Sequence, residues 1–283
     1  MKLFRFVQIE VPWPLGPEDG RYVVRRHAGE QPDHVLVLGT LGAQKRTRRG
    51  KRDSKAEPEP EPTPVATGRA TVIAAEPLEG DAAAARWLNN VDRDAGIAAA
   101  LVVLNRALHA HRISVADPYA REVGRDDALV IRVGYGAGEQ VADGRWTEAA
   151  EIGHGGSRRQ KRATALRPQE RLAALLSGRD AALACELLTL RTRADLDGGR
   201  QREAALQLRP ALDAALAELP AWAERGDLAD RIAELGGERD TVAGLERTAL
   251  ERGLDPEEIA EVERVLRRIE AALRARSAAG FGT

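Results

Sequence analysis

Gly134, Gly136 and Gly138, interleaved with Tyr135 and Ala137, follow an apolar branched run. A glycine-rich loop after a strand is the arrangement in which backbone amides cradle a phosphate. That chemistry also needs a helix to start directly after the glycines. Here Asp143-Gly144 turns the chain and Trp146 follows, so the stretch reads as a mobile loop between strands. Glu139, Asp143 and Glu148 add carboxylates, but their spacing does not set an acid and a base across one reacting atom. His109 and His111 are two positions apart, so on a helix they face different sides and cannot form the i, i+4 pair of a helical zinc site. His111 continues the apolar face of Ile97, Leu101, Leu104 and Leu108 and reads as a core-edge residue, with His109 facing solvent. His154 lies among glycines that would not orient it. Cys185 has no identifiable histidine partner, and no serine sits in a nucleophile elbow. The residues therefore predict no catalytic, cofactor-binding or metal-ligating set.

A second kind of chemistry is the capture of polyanions. Lys45, Arg46, Arg48, Arg49, Lys51 and Arg52 form one basic run and Arg158, Arg159, Lys161 and Arg162 another. Clustered cations gain affinity for nucleic acid by releasing its counterions. Neither run is interleaved with the aromatic residues that stack on bases, which limits the expectation to weak, nonspecific binding. A helix-turn-helix echo spans Leu228 to Leu245, with Gly236 and Val242 at suggestive spacing. It carries Asp227, Asp230, Glu234, Glu238 and Asp240, charges that phosphate would repel.

The elements that must position these residues follow from composition and pattern. A chain of 283 residues has room for two ordinary domains, each with a buried core. Aromatics at 4% against 43% hydrophobic residues mean that Leu, Val, Ile and Ala build those cores. A net charge of −1 gives the whole molecule no field drawing it to nucleic acid or an anionic membrane. The single cysteine excludes an internal disulfide and any cysteine-cluster metal site. Lys2, Arg5 and Glu10 break up the opening residues, so no secretory signal is expected. Ile97 to Leu104, the longest apolar run, falls far short of the roughly 20 residues of a membrane helix. The expected location is the cytoplasm, with no membrane partner.

Leu3 to Val11, Tyr22 to Arg25 and His34 to Leu38 read as strands of a small antiparallel meander. Pro12 to Pro17 forms a loop between the first two, with Asp19-Gly20 as a tight turn. Residues 43–67, the first basic run followed by alternating Glu and Pro, have no apolar pattern and read as a disordered insertion. A strand at Arg69 to Ala75, one long helix from about Asp81 to His111 and a branched strand at Leu129 to Val133 complete the half. Val141 to Trp146 reads as a last edge strand or a loop. The predicted organisation is an α+β domain over residues 1–150, mostly antiparallel sheet with one long helix, a flexible linker over 151–165, and an all-helical domain over 166–283.

In that second half Pro168 opens a helix that Gly178 ends. From Asp180, Leu183, Leu187 and Leu190 line one helical face; after Asp197-Gly198-Gly199 a further helix buries Ala205, Leu208 and Leu212. Pro210 is expected to kink or divide that helix. Gly199-Arg200 followed by Arg202-Glu203-Ala204-Ala205-Leu206 resembles the inter-helix turn of a tetratricopeptide repeat. The resemblance covers one hairpin, with no second copy at the family's period and none of its aromatic knobs, and implies two antiparallel helices. The last helix is capped by Asp255 and opened by Pro256. Its residues Ile259, Val262, Leu266, Ile269 and Leu273 alternate spacings of three and four, a heptad seam for packing within the domain or for a partner helix. The sequence thus predicts a non-enzymatic interaction or scaffolding protein whose helical domain binds an unidentified protein or itself. The alternative is an auxiliary RNA- or DNA-binding regulator using residues 45–52 and 158–162, and an enzyme built on Tyr135 to Trp146 ranks third.

Overall fold

The computed structural model describes residues 2–25, 29–42, 66–153, 168–224 and 226–278. The chain divides into two compact units, Met1–His154 and Gly155–Thr283. The first is α+β and the second all-helical.

In the first unit the strands are β1 (Leu3–Val11), β2 (Gly20–Val24), β3 (His34–Leu41), β4 (Thr67–Leu78), β5 (Val130–Gly136) and β6 (Glu148–Ile152). They form one sheet in the order β2-β3-β4-β1-β5-β6, every neighbouring pair antiparallel. The expected meander is corrected: β1 does not pair with β2 but lies between β4 and β5. Burial explains the order. Leu3, Phe6, Ile9 and Val11 are nearly inaccessible on the two faces of β1, so it needs cover on both sides, whereas β2 is exposed along almost its whole length and takes an edge.

The expected single long helix is two, α1 (Asp81–Asn90) and α2 (Arg93–Ser114). Val91 is extended, and the Asp92 carboxylate accepts from the Ala95 amide at 3.1 Å, capping α2 afresh. Both helices cover one face of the sheet. Ala84, Leu88, Ile97, Ala100, Leu104 and Leu108 meet Leu3, Ile9, Leu36, Val72 and Val133 there. The other face is closed by a short 3-10 turn (Gly138–Asp143) and Trp146, which stacks on Phe6 at 5.7 Å.

Gly134 and Gly136 are thereby corrected from a mobile loop to paired residues of β5. A Cβ on Gly134 would lie 2.3 Å from the Glu148 carbonyl oxygen, and one on Gly136 would lie 2.6 Å from Val141 Cγ1. The glycines let β6 and the turn pack against the sheet; they do not open a phosphate cradle. Val141 to Trp146 is not a strand, and the last edge strand starts at Glu148.

The second unit holds α3 (Pro168–Leu176), α4 (Ala184–Asp197), α5 (Gln201–Glu218), α6 (Leu228–Gly236), α7 (Arg239–Glu251) and α8 (Pro256–Ala278). Helices α4 and α5 form the hairpin expected around Gly199, whose φ is +73°. Helix α5 runs unbroken through Pro210, which sits on its exposed side, so the expected division does not occur. Residues Ala205, Leu208 and Leu212 are buried as expected.

Helix α4 turns the opposite way to its pattern. Leu187 is 52% and Leu190 66% exposed, while Cys185, Thr189 and Thr192 are buried. The threonine hydroxyls donate to the carbonyls four residues back, Thr189 to Cys185 at 2.6 Å and Thr192 to Leu188 at 2.9 Å, so they enter the core already satisfied. The start of α4 is fixed by α5: the Glu218 carboxylate accepts from the amides of Ala184 (3.1 Å) and Cys185 (3.0 Å). That tie sets the rotation of α4 more firmly than its leucines do.

Candidate functional site

On the exposed end of the sheet, β2 and the C-terminal half of α2 face one another across an open groove of about 750 Å³. That volume lies within the range of ligand-binding clefts, about 300–1,000 Å³. One wall is Tyr22, Val23, Val24 and Arg25; the other is Arg106, Ala107, Ala110, His111, Ser114 and Val115; the loop Gly16 to Glu18 closes one end. Ala107, Ala110, His111 and Ser114 fall at spacings of three and four, so they share one helical face. The two alanines leave that face low, and the groove exists because nothing larger stands there.

The walls are held from behind. Gly16, at φ +102°, lies so close to the His111 imidazole that a Cβ there would sit 3.1 Å from Nε2. The Tyr22 hydroxyl donates to the Glu18 carbonyl at 2.7 Å, and the Asp19 carboxylate accepts from the Thr40 amide (2.9 Å) and hydroxyl (2.8 Å). Arg25 Nε donates to the Glu30 carbonyl at 3.1 Å. The loop's other end is fixed by the Gly68 amide, which donates to the Trp13 carbonyl at 2.9 Å, and by the Arg121 guanidinium 4.1 Å above the Trp13 ring.

Within the groove, the Ser114 hydroxyl donates to the Ala110 carbonyl of its own helix at 2.8 Å. What the surface offers is apolar area and charge: Tyr22 is 37%, Val23 42% and Val115 51% exposed, with Ile113 and Tyr119 also uncovered on the segment that ends α2.

Elsewhere in this unit Gln8, Glu10, Arg69 and Arg132 form a polar network. Gln8, 1% exposed, donates to Thr71 Oγ1 (3.1 Å) and to the Val141 and Ala142 carbonyls (3.4 and 3.3 Å). Its own carbonyl accepts from Arg132 at 3.2 Å. Arg69 and Arg132 share the Glu10 carboxylate, at 2.9 and 3.0 Å. This network clamps the 3-10 turn onto the sheet. Tyr135 donates to the Glu148 carboxylate at 2.9 Å, and that bond holds its phenol above the ordinary value. Glu139 pairs with Arg21, and Asp143 with Arg145 at 3.4 Å. The three carboxylates singled out from sequence thus face three different partners.

His109 and His111 lie on α2, both half-buried, and only His111 reaches the groove. His154, the basic run from Lys45 to Arg52 and the run from Arg158 to Arg162 lie outside the described residues. Among the described residues, no group of three or more His, Cys, Asp and Glu side chains is placed to hold a metal ion.

In the helical unit Cys185 is fully buried, and burial first, then the Glu218 carboxylate, pushes its thiol up to about 12. A thiol so held stays protonated near neutrality and is a poor nucleophile. The seam on α8 faces inward: Val262, Leu266 and Ile269 are fully buried in the unit's own core, Leu273 packs against that core half-buried, and Ile259 is half-buried. As a surface for a partner helix the seam is therefore corrected; the other helices of the unit already occupy it. The acidic helix-turn-helix echo is α6 and α7, and its Glu238, 5% exposed, is gripped by Arg264 at 2.7 Å and by Arg268, both on α8.

Residues Tyr22, Arg25, Arg106 and Ala110 escaped the sequence reading. The signal for them was an edge-type branched run, Tyr22-Val23-Val24, and a pair of alanines three apart, Ala107 and Ala110, among bulky residues in the C-terminal half of α2. No family model, no curated protein and no solved structure matches the chain.

Proposed function

We propose that this is a non-enzymatic interaction protein, whose N-terminal unit holds a segment of another protein in the groove between β2 and α2. The observation that carries the reading is the groove itself: an open cleft where Tyr22, Val23 and Val115 remain 37%, 42% and 51% exposed. Uncovered apolar side chains gathered in a concave site favour a partner that covers them. Two groups that could do covalent chemistry are engaged elsewhere, Tyr135 with Glu148 and Cys185 in the helical core. Among the described residues no helix is long and apolar enough to cross a membrane.

The test is a panning of random displayed peptides against the full chain, followed by affinity measurements on the wild type and on Ala110→Arg. Ala110 is exposed on a helix, so arginine there fills the groove without disturbing the core. Enriched peptides should lose affinity by about tenfold or more on that change, the scale of one lost interface anchor. Peptides that bind the variant as tightly as the wild type would overturn the reading.

A further inference from the structure

We infer that the groove takes an extended, acidic protein segment as a seventh strand added to the outer edge of β2, an inference that rests on the groove being a protein-binding site. Tyr22, Val23, Val24 and Arg25 are consecutive, and all four line the same groove. Successive side chains of a strand point to opposite faces, so three consecutive residues of β2, with Arg25 just beyond them, border the groove with backbone as well as side chains. β2 is the last strand of the sheet, and among the described residues no strand pairs with its outer side. Backbone amides and carbonyls along such an edge are hydrogen-bonding groups that an incoming strand satisfies in a ladder.

Two further features fit an added strand. The opposite wall carries Ala107, Ala110 and Ser114, which leave space for alternate side chains of the incomer beside a flat backbone. The edge is short and carries the charged Arg21, but Gly20 to Val24 contains no proline and no irregular register with β3 that would block pairing.

Charge gives the partner's chemistry. Among the described residues, the lining carries the guanidinium groups of Arg25 and Arg106 against one carboxylate, that of Glu18. Alternate side chains of an added strand would point at the α2 wall, where the Arg106 guanidinium stands, so carboxylates there meet complementary charge. The same excess argues against a second copy of this chain pairing edge to edge, because it would set one cationic wall beside another.

The experiment uses the full chain and fluorescein-labelled synthetic peptides of roughly ten residues, a length that spans a typical strand. They alternate valine with glutamate, with glutamine or with lysine, and a fourth peptide is the glutamate version N-methylated at every second residue along one edge. Fluorescence anisotropy at low and high salt reads the affinities. The glutamate peptide should bind about tenfold or more tighter than the lysine peptide, with the gap closing in salt. N-methylation, which removes ladder donors and leaves the side chains, should weaken it by about tenfold or more. Arg106→Gln should narrow the preference for glutamate while the glutamine peptide binds as before.

Equal affinity for the glutamate and lysine peptides overturns the acidic partner, and indifference to N-methylation overturns the added strand, yet both leave the groove as a binding site. Affinities untouched by Ala110→Arg place the peptide elsewhere and overturn the underlying reading instead. A concentration-dependent dimer in sedimentation that Ala110→Arg abolishes would make a second copy the occupant and contradict the inference.

Discussion

Gly134 and Gly136 show how single positions carry the first unit. The nearest atoms to a Cβ at Gly134 are the Glu148 carbonyl oxygen at 2.3 Å and Ala149 Cα at 2.7 Å, both backbone, so no rotamer change relieves the clash. Gly134→Ala should therefore cost about 1–3 kcal/mol in denaturant unfolding, the ordinary scale of an overpacked site. A cost within a few tenths of that of the wild type would mean that β6 is free to move away. Charged residues set the acid limit of the second unit. Arg264 and Arg268 hold the Glu238 carboxyl below its usual range. Burial works against the charges of Asp180 and Glu218, but Arg276 beside Asp180 and the Cys185 amide on Glu218 outweigh it, and both also lie low. A carboxylate with a depressed folded pKa contributes stability that is complete above its unfolded value and is lost as pH falls through the folded one. The ordinary values are 3.8 for Asp180 and 4.5 for Glu218 and Glu238. The helical unit should thus hold its stability down to that range and lose it progressively below. Urea midpoints taken from neutral pH downward would show the fall; a midpoint that rises on acidification would contradict it.

Among the elements, α8 is the one most fully written in its own residues. The Asp255 carboxylate accepts from the amides of Glu257 (3.0 Å) and Glu258 (2.9 Å), and Glu258 accepts from the Asp255 amide at 2.9 Å, a reciprocal cap legible in the sequence Asp-Pro-Glu-Glu. Its seam being buried within the unit, Leu266→Ala should cost about 2–5 kcal/mol with no change of mass in light scattering. A loss of oligomer mass would restore the seam as a partner surface. Helix α4 makes the opposite point. Leu187→Gln and Leu190→Gln should shift stability by less than about 0.5 kcal/mol, because both side chains already stand in solvent; a loss of several times that would show them covered. The leucine pattern misled because two threonines bonded to their own helix and a cap from Glu218 decided its rotation. The break between α1 and α2 had a local signal, Asn89-Asn90-Val91-Asp92, which the apolar periodicity running through it masked. Strand β1 was legible to the residue, since its branched and aromatic run ends at Pro12.

For the whole molecule, local pattern yielded the two classes of unit and most element positions, while strand order and groove did not follow from it. The sheet places β1, the first strand, between β4 and β5, a pairing decided by which strands need cover on both faces. The groove brings residues 16–25 beside residues 106–115, and no spacing in the chain announces that meeting. The central claim is that the edge of β2 and the facing side of α2 bind an extended segment together. Hydrogen–deuterium exchange of the full chain, with and without the glutamate peptide, tests it most directly, since it reads backbone protection residue by residue. Added protection confined to Gly20 to Arg25 and the end of α2 from Arg106 to Val115 is the predicted result. Protection that leaves β2 unchanged and rises elsewhere, or none at saturating peptide, would contradict the account.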